Sequence, residues 1–129
     1  MLLSGSIVKN TDLSGRVILV VEDEPLIALN VKTMLESAGA TVFCAKTRDA
    51  AETCERLDIS AAVLDARPGS SDHRPVARRL KQRGLPFLFY ATHAPEDVTT
   101  VRGAPVLIKP GYPKEIVGAV AMLLRPKIR

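Results

Sequence analysis

The sequence contains no tryptophan, and only three phenylalanines and two tyrosines among 129 residues. A core must therefore be assembled from Val, Leu, Ile and Ala. Recognition of nucleic acid by stacking bases on aromatic side chains has almost nothing to work with. Two cysteines, Cys44 and Cys54, are too few for a disulfide framework and are not spaced as a metal motif. Each lies in an apolar stretch and is expected to be a reduced core thiol. His73 and His93 stand apart from the cysteines and from each other, without metal-ligand spacing. No apolar run approaches the roughly 18 residues of a membrane span. At the N-terminus, Met1-Leu2-Leu3 leads into Ser4-Gly5-Ser6 without the basic-then-apolar order of an export signal. The expected location is cytoplasmic, with no membrane partner.

What is present suits one globular domain. The hydrophobic share is 47% and the charged share 25%, ordinary values for such a domain. The net charge of +4 is concentrated in Arg74, Arg78, Arg79, Lys81 and Arg83 and in the tail residues Arg125, Lys127 and Arg129. These positions read as a solvated helix face and a chain end. A patch for an acidic partner is the sharper alternative. No nucleic-acid motif accompanies the charge, so nucleic acid is not an expected partner.

Residues 1–15 mix Ser, Gly, Asn, Thr and Asp and are expected to form a flexible leader, with the folded domain spanning 16–129. Residues 16–21 carry a continuous apolar run after Arg16, rich in β-branched residues, the pattern of a strand buried on both faces. Pro25 suits the first turn of a helix. Ile27, Val31, Met34, Leu35 and Ala38 then make an apolar stripe at helical spacing, stopped by Gly39. A second strand is expected over 41–45. Thr47 is placed to cap a helix carrying Ala50, Cys54 and Leu57.

Residues 61–64 are a third apolar run. Val76, Ala77 and Leu80 mark a helix closed by Gly84, and residues 86–90 a fourth strand. Residues 91–103 hold only a short, weak helix. A fifth strand is expected over 104–108, with Pro105 at its start, where Pro is tolerated. Ile116, Val117, Val120, Leu123 and Leu124 belong to a last helix, stopped by Pro126. Strand and helix alternate five times, which implies a parallel sheet covered on both faces. The chain is too short for an eight-unit barrel. The expected fold is α/β, a flavodoxin-like doubly wound (βα)5 unit with strand order 2-1-3-4-5.

In that order the first and third strands are neighbours. Glu22 and Asp23, at the end of the first, then stand beside Asp65 at the end of the third, where open α/β sheets place their chemistry. Three carboxylates at one edge repel one another unless a cation joins them. Mg²⁺, which takes carboxylate and carbonyl oxygens, suits such a corner. Lys109, at the end of the fifth strand, can pair with Asp65 or hold a phosphoryl oxygen. Pro110 follows it, and the peptide bond between them is open to either isomer.

Val20-Val21-Glu22-Asp23-Glu24-Pro25, then Val63-Leu64-Asp65, then Ile108-Lys109-Pro110 resemble the receiver domain of two-component response regulators. The resemblance covers residues 16–124. It implies that Asp65 is the phosphoacceptor, served by a histidine kinase or a phosphotransfer protein. It further implies that Asp23, Asp65 and the backbone carbonyl of Arg67 bind Mg²⁺. Glu22 would act through a metal-bound water, and Lys109 would contact the acyl phosphate. The exposed face of the first helix, around Asn30 and Thr33, is where the family meets its kinase. A receiver of this length would stand alone or be part of a longer protein. It would signal through contacts with a target protein rather than as an enzyme, beyond self-catalysed gain and loss of its phosphoryl group.

The chain departs from the family pattern at three positions. The switch hydroxyl expected at the end of the fourth strand is replaced by Ala91, with Thr92 next in line to supply it. The switch aromatic on the fifth strand is replaced by Val106. The residue two after the acceptor is Arg67, which can pair with Glu22, cover a phosphoryl group, or lie in solvent. The segment between Ala91 and Lys109 is short, which leaves the dimerisation surface of many receivers in question and the oligomeric state open. Two competing readings remain. One is a receiver-like binding module that ignores phosphorylation, resting on Ala91 and Val106. The other is a small Mg²⁺-dependent phosphatase using Asp65, although the second Asp that such phosphatases carry two residues on is here Arg67.

Overall fold

A computed structural model describes residues 12–67, 70–92 and 104–125. Five parallel strands form one sheet: β1 (Val17–Val21), β2 (Thr41–Ala45), β3 (Ala61–Leu64), β4 (Phe87–Ala91) and β5 (Val106–Ile108). Their order is β2-β1-β3-β4-β5, the flavodoxin-like order expected from the pattern. Four helices are described: α1 (Pro25–Ser37), α2 (Thr47–Arg56), α3 (Arg74–Gln82) and α4 (Pro113–Leu123). Residues 1–11 of the leader, Pro68 and Gly69, the weak helix of 93–103, and the tail beyond 125 lie outside the described residues.

The sheet has a core on each face. Successive strand residues point to opposite sides, so Leu19, Val21, Leu64, Phe87 and Phe89 pack with Ala50 and Cys54 of α2 and Val76, Ala77 and Leu80 of α3. Ile18, Val20, Val63, Leu88 and Tyr90 pack on the other side with Val31 and Leu35 of α1 and Ile116, Val117 and Val120 of α4. β1 and β3 are buried almost throughout, as their unbroken apolar runs require. None of the described helices is long and apolar enough to cross a membrane.

The structure corrects three local expectations. Leu13 is buried, and its N–H donates to the Ala38 carbonyl at 2.8 Å. The packed unit therefore begins before residue 16. Next to it, Gly39 has a positive φ of 103°, and a Cβ there would lie 2.7 Å from Ser14 Oγ. Second, Cys44 is exposed, whereas Cys54 is a core thiol. Cys44 sits on an edge strand, where β2 pairs with β1 alone, and an apolar run does not reveal which strand is the edge. Partial burial raises the Cys44 thiol above its ordinary pKa, offset in part by Lys32. Third, Thr47 does not cap α2. Lys46 holds the N-cap position, with no side-chain cap bond of its own. The cap comes from elsewhere, as the next subsection describes.

Candidate functional site: a carboxylate cluster at the sheet's carboxyl edge

Glu22, Asp65 and Lys109 are each the first residue beyond their strands. The hydrogen-bond ladder continues one step past the regular sheet to hold all three. Glu22 N–H donates to Ala45 O at 3.1 Å, Asp65 N–H to Val21 O at 2.9 Å, and Lys109 N–H to Ala91 O at 2.9 Å. Their backbones are thereby as fixed as the strands, and their side chains emerge together at one edge. The Lys109–Pro110 peptide bond is cis.

Lys109 Nζ lies 2.7 Å from Glu22 Oε1 and 3.1 Å from Asp65 Oδ1. It also stands 5.7 Å from the centroid of the Tyr90 ring. The three charged side chains are only 12%, 5% and 10% exposed for Lys109, Glu22 and Asp65. Burial alone would lower the Lys109 pKa. The bonds to Glu22 and Asp65 outweigh it and raise the ammonium above the ordinary value. The second oxygen of Glu22 accepts the Glu24 N–H at 3.1 Å, which turns the chain into α1.

Asp23 faces the other way. Its Oδ1 accepts the Thr47 N–H at 2.7 Å, so the first N–H of α2 is satisfied by a carboxylate from the β1–α1 loop. A negative charge at a helix N-terminus is favourable, which is why Lys46 needs no cap of its own. Oδ2 of Asp23 receives Arg67 Nη2 at 2.7 Å. Arg67 therefore pairs with Asp23 and not with Glu22, while its side chain remains 58% exposed. Three carboxylates thus meet two cations.

Of the switch positions, Ala91 is fully buried as the last residue of β4. Thr92 is the first residue beyond β4, the position that Asp65 and Lys109 occupy on β3 and β5. Val106 is 38% exposed on β5. On α1, Asn30 and Thr33 are exposed, and Leu26 and Leu29 add apolar surface at 75% and 58% exposure.

The donor types suit Mg²⁺, a hard cation. Among the described residues, however, no three ligating side chains converge on one metal position. The reason is visible in the pairing. Lys109 stands between Glu22 and Asp65, and the Arg67 guanidinium occupies an oxygen of Asp23. The Arg67 carbonyl accepts the Ser70 N–H at 3.1 Å and keeps a second lone pair. The set fits the ion in kind, with the exposed Arg67 guanidinium paired to one of its carboxylates.

No protein-family model matches the chain. It is 29% identical over 114 residues to the phyllosphere-induced regulator PhyR of Methylorubrum extorquens, covering 83% of this chain and 43% of that protein. A response regulator receiver protein from Sinorhizobium medicae is similar in structure, with a TM-score of 0.74 and 26% identity, covering 84% of this chain and 94% of that one. The response regulator PhyR from Brucella abortus shares the fold, with a TM-score of 0.78 and 24% identity over 95% of this chain and 53% of that one. The chain spans about half the length of the PhyR proteins it matches. The chain is thus a receiver-like domain, similar to response regulators of two-component signalling.

Proposed function

We propose that this domain is a phosphorylatable receiver in which Asp65 accepts a phosphoryl group from a phosphohistidine donor. The observation that carries the reading is the position of Asp65. It is held by the β1–β3 ladder at the sheet's carboxyl edge, with Lys109 Nζ 3.1 Å from one oxygen and no hydrogen bond to the other oxygen among the described residues. In-line phosphoryl transfer requires a fixed nucleophile and positive charge on the transferred oxygens. Asp65 is the nucleophile. The donor N–P bond breaks as the Asp65 oxygen–phosphorus bond forms, and the donor imidazole leaves with the electron pair. Lys109, already poised between two carboxylates, meets the phosphoryl oxygens. Asp23, Asp65 and the Arg67 carbonyl would hold Mg²⁺, with Glu22 assisting through water. When bound, the ion supplies the remaining charge neutralisation.

The partner on the input side is a histidine kinase or a phosphotransfer protein, meeting α1 around Asn30 and Thr33. The output is contact with a target protein. The setting is cytoplasmic, and the domain is not an enzyme with an external substrate. The switch is atypical: Ala91 lacks the hydroxyl, and Thr92, first beyond β4, is the residue next in line for it. The test is incubation with Mg²⁺ and a small-molecule phosphodonor, read by intact mass. One added phosphoryl group is expected. No gain under conditions that label another receiver would remove the proposal.

Arg67 gives this site a specific expectation. Its exposed pair with Asp23 contributes at most about 1 kcal/mol. Arg67→Ala is expected to change folding stability by less than that and to tighten Mg²⁺ binding by up to about fivefold, as a freed Asp23 oxygen allows. A calorimetric Mg²⁺ titration of both proteins measures it. Equal affinities would show that the guanidinium does not compete with the ion.

A further inference from the structure

We propose that Tyr90 is a positioning residue that couples Lys109 to the start of α4, so that a change at Asp65 is passed to Gly111 and Ile116. The inference rests on the phosphoacceptor reading above and concerns how that event leaves the site. Tyr90 lies on β4, on the sheet face packed against α1 and α4, and is 6% exposed. Its ring presents a face to Lys109 Nζ, 5.7 Å from the centroid. Its hydroxyl oxygen accepts the Gly111 N–H at 2.8 Å. A Cβ built on Gly111 would lie 3.3 Å from Tyr90 Cε1 and 3.3 Å from Ile116 Cγ1. Tyr90, Gly111 and Ile116 are therefore in close contact, and Ile116 is a fully buried residue of α4.

The single side chain thus touches the site's ammonium at one end and the backbone entering α4 at the other. Lys109 holds three partners at once: Glu22, Asp65 and the Tyr90 face. A ring attracts a cation through its electron-rich face, so the ammonium cannot shift toward a new anion on Asp65 without changing its contact with Tyr90. The ring is packed too closely to absorb that change alone. Its hydroxyl carries the displacement to Gly111, the second residue after Lys109. A buried hydroxyl bond of this kind is directional and costly to leave unmade, which makes it a suitable link between two packed elements.

The test is a nuclear magnetic resonance comparison of the protein before and after addition of Mg²⁺ with beryllofluoride, a tetrahedral mimic of a carboxyl-bound phosphoryl group. In the wild type, the amides of Asp65 and Ala66 and the signals of Gly111 and Ile116 are all expected to shift. In Tyr90→Phe, which keeps the ring and removes only the hydroxyl, the Asp65 and Ala66 shifts should persist. Those of Gly111 and Ile116 should fall by at least half. Tyr90→Leu, which also removes the ring face, should reduce them further. A purely structural role for Tyr90 would lower stability without separating the two sets of signals. Full transmission in both variants would overturn the proposal. Absence of any Asp65 response in the wild type would instead overturn the phosphoacceptor reading, and this inference with it.

Discussion

Lys109→Met is expected to lower the stability of the folded domain by about 3–5 kcal/mol, the usual cost of leaving a buried ion pair without one partner. For a chain of this size that corresponds to a fall of roughly 11–18 °C in the thermal midpoint. The cause lies in what the lysine leaves behind. Glu22 and Asp65, with side chains 5% and 10% exposed, share its ammonium at 2.7 and 3.1 Å. Without it, two carboxylates face each other away from water. Adding Asp65→Asn to Lys109→Met removes one of them and should recover part of the loss. Urea unfolding of the wild type, the single variant and the double variant measures both effects. A loss below about 1 kcal/mol would contradict the burial argument.

The same pair sets a pH window. The Lys109 pKa is raised in the folded state, so its stabilising contribution is complete below the ordinary value of 10.5. It is lost as pH rises through the higher folded value. The gap between wild type and Lys109→Met should therefore hold from neutral pH to about 10.5 and close above it.

Asp65→Asn is expected to have the largest functional effect, complete loss of phosphoryl acceptance. The amide is not a nucleophile for this transfer and cannot form the acyl phosphate. The fold should survive, because Lys109 keeps Glu22 at 2.7 Å and one carboxylate of a repelling pair is gone. Loss of labelling together with an unchanged urea midpoint is the expected combination. The variant also separates the competing readings. A module that ignores phosphorylation would bind its partner equally well whether or not Asp65 is replaced, with or without a phosphodonor. A phosphatase would turn over a phosphomonoester repeatedly, and Arg67, paired to Asp23 at 2.7 Å, does not supply the acid that such an enzyme needs.

The fold was readable because each strand of the sheet's centre is a short apolar run and each helix repeats its apolar residues at a spacing of three or four. The run ending at Asp65 and the run ending at Glu22 become neighbours only through the strand order. That order followed from chain length and the alternation of elements. What the sequence could not show is contact made across space. The cap on α2 comes from Asp23, 24 residues before Thr47, so no local pattern announces it. The pairing of Arg67 with Asp23, rather than Glu22, depends on the direction in which the loop after β3 points the guanidinium.

Tyr90 carried no signal at all. Within an apolar strand it is indistinguishable from a core residue until its hydroxyl is seen to accept the Gly111 N–H. Cys44 shows the converse. Its apolar surroundings suggested burial, and its place on the edge strand denied it.

Asp65, and no other residue, is expected to take the phosphoryl group. Borohydride reduces an acyl phosphate to the corresponding alcohol, so trapping the labelled protein and mapping its peptides reads the acceptor directly. Homoserine is expected at position 65 after treatment with phosphodonor and Mg²⁺, and none in the Asp65→Asn protein. Homoserine at another aspartate, or a phosphoryl group that resists borohydride on a side chain elsewhere, would show that Asp65 is not the acceptor.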